Sequence, residues 1–121
     1  MLDVTEEQWL RTVLDLAAAY GWRTYHVDNS ARKVTRRSGT VAWVRNVNVQ
    51  GKGFPDLVLV RARDARLIFA ELKRDRDART SPEQNTWLDD LRAVERTASS
   101  ISVVVWRPRD YDAMERALRP K

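Results

Sequence analysis

Two short apolar runs, residues 57–60 and 67–69, flank a polar segment at 61–66. Runs of this length with polar punctuation between them read as the two strands of a hairpin. A hairpin centred on Arg63-Asp64 sets Val60 opposite Leu67 and Val58 opposite Phe69. One step further out, the same register sets Asp56 opposite Glu71. Directly opposed residues hold their Cβ atoms about 4.5–5.5 Å apart. Side chains alternate along a strand, so Lys73 shares a face with Glu71 while Leu72 points away. The pairing therefore gathers two carboxylates and an ammonium on one surface.

Two carboxylates that close repel unless a cation lies between them. Oxygen ligands suit a hard cation such as Mg²⁺ or Mn²⁺. An ion held by one or two carboxylates keeps several waters, and a water so held can attack a phosphodiester. Lys73 could help activate that water or neutralise charge in the transition state. An isolated Glu-x-Lys is common and carries little weight by itself. Pro55-Asp56 ahead of it and apolar strands on both sides are what raise it to a candidate centre.

Helix signals stand on either side. Thr5 with Gln8 three residues later reads as a capping box. Trp9, Leu10, Val13, Leu16, Ala17 and Tyr20 follow at helical spacing, and Gly21 ends the helix. At about 100° per residue Glu6 falls within that apolar stripe and is expected to aim inward, while Glu7 falls outside it, in solvent. An inward carboxylate wants a partner, such as a metal or a basic group. The plainer alternative is a first-turn acid favoured by the helix dipole. Ser81-Pro82-Glu83-Gln84 is a second helix start, with Trp87, Leu88, Leu91 and Val94 predicted as the buried face. Gln84 there either closes the cap or reaches into the site. Residues 23–27 read as a strand carrying His26, the one histidine, which is either a surface donor or a phosphate contact. Residues 41–49 alternate as a strand with one exposed face, Gly51 and Gly53 break it, and residues 101–106 form a buried strand before a short terminal helix at 110–118. The order predicts one mixed α/β domain over residues 1–121, its central sheet flanked by helices, with a parallel crossover beside the Glu71 strand.

Composition narrows the function. Hydrophobic content of 43% suits a packed globule. No cysteine and a single histidine argue against disulfides and a zinc site. No apolar run approaches a membrane span and no signal peptide is visible, so the expectation is a cytoplasmic protein away from membranes. Charge is placed unevenly. Arg32, Lys33, Arg36, Arg37, Arg45 and Lys52 bring +6 to a stretch without acids, against a net +5 for the chain. A localised basic segment fits a phosphate backbone. The alternative is a solvated loop in a chain where Arg outnumbers Lys 18 to 4.

Several pieces in order carry a family likeness: Thr5-Glu6-Glu7-Gln8-Trp9, Gly21-Trp22 with Tyr25-His26, Gly53-Phe54-Pro55-Asp56, Glu71-Leu72-Lys73, Ser81-Pro82-Glu83-Gln84, Trp87-Leu88 and Trp106-Arg107-Pro108-Arg109-Asp110. With them the chain resembles the VRR-NUC group of the PD-(D/E)xK nucleases, especially its small stand-alone phage-type members. The resemblance implies a restriction-endonuclease-like fold and a Mg²⁺- or Mn²⁺-dependent DNA endonuclease. It implies Asp56, Glu71 and the Leu72 backbone carbonyl as metal ligands, with Glu6 contributing directly or through water. Lys73 is then the catalytic amine and Gln84 a supporting residue. Arg32, Lys33, Arg36, Arg37, Arg45, Lys52 and His26 are the expected DNA contacts. Small members are similar to homodimeric nucleases of Holliday junctions and other branched DNA. A flap or sequence-specific nuclease on the same centre, or a DNA-binding accessory protein without catalysis, are the alternatives. The segment at 31–50 looks longer than the usual link before Gly-Phe-Pro-Asp.

Overall fold

The computed structural model describes residues 4–27, 31–35, 37–45 and 51–120. Helix α1 (Glu6–Ala19) leads into strand β1 (Arg23–His26). Two further strands, β2 (Ala31–Thr35) and β3 (Val41–Arg45), pair only with each other as an antiparallel ribbon. Then come β4 (Leu57–Arg61), β5 (Arg66–Leu72), α2 (Pro82–Glu95), β6 (Ile101–Trp106) and α3 (Tyr111–Leu118). The main sheet has the order β1-β4-β5-β6, with β4–β5 antiparallel and β5–β6 parallel. This is the expected α/β sheet between helices, and the crossover through α2 is the one the helix before the last strand called for.

The hairpin register follows the alternation. Val60 faces Leu67 and Val58 faces Phe69. One face of the sheet, with Leu57, Leu59, Ile68 and Ala70, packs on Trp9, Val13 and Ala17 of α1 and on Met114 and Leu118 of α3. The other face carries Val58 and Phe69 toward α2. Both predicted capping boxes form: Thr5 accepts from Gln8 N at 3.0 Å, and Ser81 accepts from Gln84 N at 3.2 Å. Among the described residues no helix is long and apolar enough to cross a membrane.

Three expectations need correction. The polar 61–66 segment is shorter than it looks, because Arg61 ends β4 and is 2% exposed. Its guanidinium donates to the carbonyls of Tyr20 (2.9 Å), Leu118 (2.7 Å) and Arg119 (3.3 Å), and pairs with Asp64. It also lies 4.5 Å from the Trp22 ring centre. Two helix C-termini, each with unpaired carbonyls and a negative dipole end, converge on one planar cation. We therefore expect Arg61→Met to cost about 2–4 kcal/mol, since buried carbonyls lose their donor. Urea unfolding measures it; an unchanged midpoint would deny Arg61 this role.

Val94 is 51% exposed rather than buried, and Trp87 and Leu91 are half-buried, which leaves Leu88 as the fully buried residue of that face. The adjacent Glu95 turns to the sheet instead, where its Oε2 accepts from Val103 N at 2.8 Å. An edge-strand amide needs an acceptor, and that need outweighs the apolar pattern. Glu6 does not aim into the core: both Glu6 and Glu7 are exposed. The first turn of α1 overhangs an open cleft, so the stripe that is buried further along faces solvent there. The strand expected over 41–49 is described as β3 over Val41–Arg45, and residues 46–49 lie outside the described residues.

Candidate active site

The cleft is built by the turn before β4 and the end of β5. Gly53 has φ +86°, a conformation that suits glycine. It also abuts the N-terminus of α2, where a Cβ would come within 2.6 Å of Gln84 N and of Glu83 O. Phe54 wedges between Phe69 and Trp87, edge-on to each, with ring centres 6.0 and 5.0 Å away. Pro55 is buried. These residues fix Asp56 just ahead of β4. Its Oδ2 accepts from Leu72 N at 2.8 Å, and its carbonyl accepts from Val27 N at 2.9 Å. Asp56 is thus pinned between β1 and β5, on the side where the hairpin register brings Glu71.

Glu71 is 2% exposed. Its Oε2 accepts from Gln84 Nε2 at 2.9 Å and lies 3.5 Å from Lys73 Nζ. Its Oε1 is buried without a partner among the described residues. Burial, and then the Asp56 carboxylate beside it, push the Glu71 carboxyl up to about 8, against the pull of Lys73. A buried carboxylate with a free oxygen facing a second carboxylate is a costly arrangement for the fold alone. It fits a site for a hard divalent cation, whose charge would relieve the repulsion and fill the open oxygen.

Gln84 takes both roles that its position offers. Its Oε1 accepts from Ser81 N at 2.8 Å to close the cap, and from Lys73 Nζ at 3.1 Å. Its Nε2 then points to Glu71, so the amide orientation follows from the donors around it. One side chain at a helix N-terminus therefore sets the positions of both the amine and the buried acid.

The cleft holds about 470 Å³. Asp56, Glu71, Lys73 and Gln84 line it together. Glu6, Glu7 and His26 contribute from α1 and β1, and Arg74, Asp75 and Ala78 from the segment after β5. Among the described residues no three of His, Asp and Glu gather closely enough to hold an ion. Glu6 therefore borders the carboxylate pair without joining it. Leu72 lines the cleft, and its amide already serves Asp56.

The expected DNA contacts are distributed differently. His26 is exposed at the cleft. Arg37 is exposed beside the ribbon turn. Lys52 is exposed and pairs with Glu83 at 3.4 Å. Arg32 and Lys33 belong to β2 and Arg45 to β3, but their side chains, and Arg36 as a whole, lie outside the described residues. Sequence reasoning missed Glu7, Arg74 and Asp75 at the cleft. Glu7 lies in the first turn of α1 outside its apolar stripe, and Arg74 and Asp75 lie in the irregular segment after β5, where no periodicity singles them out.

Paired acids, an amine and an amide thus meet at the end of a central strand of an α/β domain, an arrangement chemically suited to a hard cation and an anionic group. Residues 5–106 match the family model of the VRR-NUC domain, and the chain belongs to that family, which is one of nucleases. A nuclease domain implies DNA as the substrate. No curated protein and no solved structure gives a match.

Proposed function

We propose that the protein is a divalent-metal DNA endonuclease of the PD-(D/E)xK type that acts on branched DNA as a homodimer. The observation that carries the metal-nuclease reading is the buried Oε1 of Glu71 beside Asp56, without a partner among the described residues, with Lys73 and Gln84 bonded into the same cluster. Asp56 and Glu71 would hold Mg²⁺ or Mn²⁺ with the Leu72 carbonyl, and Glu6 would reach it through water. When bound, such an ion supplies charge stabilisation and a more acidic water.

The residues themselves do the positioning. Gln84 holds the Lys73 ammonium against the cleft, where it can neutralise charge building on the phosphoryl oxygens. Asp56 and Glu71 stay fixed because Val27 just past β1 and Leu72 of β5 bond Asp56 and Gln84 of α2 bonds Glu71, so little reorganisation is needed at the moment of reaction. His26, exposed at the cleft from β1, would contact a flanking phosphate. The basic residues Arg32, Lys33, Arg36, Arg37, Arg45 and Lys52 would follow the backbone away from the cut.

A chain of 121 residues can read little base sequence, so shape should dominate its choice of substrate. A four-way junction offers two symmetry-related phosphates, which suits a two-fold dimer with one centre per subunit. Matched four-way, flap, duplex and single-stranded substrates with Mg²⁺ test this. Paired nicks on the junction, in preference to linear duplex, are expected. Better cutting of flaps or duplex, or a monomer on junction DNA, would overturn the junction reading.

Lys73→Ala should lower the single-turnover rate by about 10²–10³-fold and leave DNA affinity within a few-fold, because its charge acts mainly in the transition state. Equal losses in rate and binding would make it a plain phosphate contact.

A further inference from the structure

The segment between β5 and α2 carries Arg74, Arg76 and Arg79, and Arg74, Asp75 and Ala78 reach the cleft. Arg74 pairs with Asp75 at 3.4 Å and Arg76 with Asp77 at 3.5 Å. These are ion pairs between sequence neighbours, and their side chains are 45–87% exposed. Exposed pairs of this kind are weak, and a phosphate can replace the aspartate at little cost. The arginines are thus held in a state that anionic substrate can recruit.

The segment is also tied down from a distance. Arg107, just past β6, donates from Nη2 to the Ala78 carbonyl at 2.6 Å. Its Nε lies buried without a partner among the described residues. Arg107 is itself fixed, because its backbone N–H donates to Asp110 Oδ2 at 2.9 Å. A half-buried guanidinium with one N–H unpaired among the described residues carries a desolvation cost, while its Nη2 bond fixes the Ala78 carbonyl at the cleft.

We propose that residues 74–80 form a grip for the DNA backbone next to the scissile phosphate, with Arg74, Arg76 and Arg79 as its phosphate contacts and Arg107 as the positioning residue that latches it to the cleft. The proposal rests on the nuclease reading and adds a contact surface separate from the basic stretch at 32–52. The ligand is the phosphodiester backbone, so the grip is indifferent to base sequence. Following directly on Lys73, it would act on the strand being cut.

The test uses the full chain and a labelled four-way junction and duplex. Affinity is measured over a range of salt in Ca²⁺, and cleavage in Mg²⁺. The triple variant Arg74→Ala, Arg76→Ala, Arg79→Ala should weaken binding by about 10–100-fold and flatten the salt slope by up to about three units, one per lost contact. The cleavage defect should fall mainly on KM. Arg107→Met should raise KM several-fold yet leave the salt slope within about one unit, since it touches the loop and not the phosphate. A latch lost through misfolding would show as a fall in melting temperature, and the triple variant on the exposed loop then carries the test. If wild type binds and cuts DNA while the triple variant keeps its affinity and slope, the grip is refuted and the nuclease reading stands. If wild type neither binds nor cuts, both fall together.

Discussion

Replacing Glu71 by Gln is expected to abolish cleavage, by about three orders of magnitude or more, and at the same time to stabilise the metal-free fold. The first effect removes one of two ligand charges and the buried open oxygen. The second follows from linkage. The Glu71 carboxyl is raised from an ordinary 4.5 to about 8 in the folded chain, first by burial and then by Asp56. A group raised on folding gives its full contribution below its unfolded value and loses it as pH rises through the folded one. Between about pH 4.5 and 8 the unfolded chain ionises at this position while the folded chain still holds the proton. The metal-free protein should therefore lose stability across that window, by on the order of a few kcal/mol. The substituted amide keeps the hydrogen-bonding shape without the charge, so the melting temperature of Glu71→Gln should exceed wild type by more at pH 8 than at pH 5. Calorimetry of both proteins in chelator measures it. A variant that melts below wild type at pH 8 would mean that the buried acid serves the fold.

Gly53→Ala should act on both properties in the same direction. Its φ of +86° is strained for any residue with a Cβ, and that Cβ would strike the first turn of α2 at backbone atoms that cannot step aside. The helix start must shift, and Gln84 shifts with it. Lys73 and Glu71 then lose the amide that sets them. A displacement near 1 Å at a catalytic group can cost about a hundredfold in rate. We expect a loss of at least about that size, with a lower melting temperature. The contrast with Glu71→Gln, inactive but more stable, separates a positioning defect from a chemical one. Activity of Gly53→Ala within a few-fold of wild type would show that the turn does not place α2.

The two substitutions also mark what the sequence could and could not reveal. Asp56 and Glu71 were legible because strand pairing is a local rule: alternation fixes the face, and the hairpin fixes the register. The capping boxes were legible for the same reason. Gln84 was legible only as a choice between cap and site, since sequence spacing does not say that one amide can do both. Arg61 was illegible. Its role comes from carbonyls at the ends of α1 and α3, some forty and sixty positions away in the chain, which converge only after folding. Val94 misled because an apolar residue at helical spacing counts as inward, whereas an unpaired amide on β6 drew Glu95 instead. Glu6 misled because helical periodicity does not reveal where a helix overhangs a cleft. The Gly53 contact with α2 is likewise tertiary: a glycine beside a turn reads as freedom of the backbone and not as a close approach.

The claim that the Asp56–Glu71 pair is a divalent-ion nuclease centre is tested most directly by following cleavage of labelled four-way junction DNA by wild-type protein through addition of chelator and then of excess metal. Cutting should stop when chelator is added and resume with Mg²⁺ or Mn²⁺, while Glu71→Gln stays inactive throughout. Cleavage that continues undiminished in chelator would contradict the account.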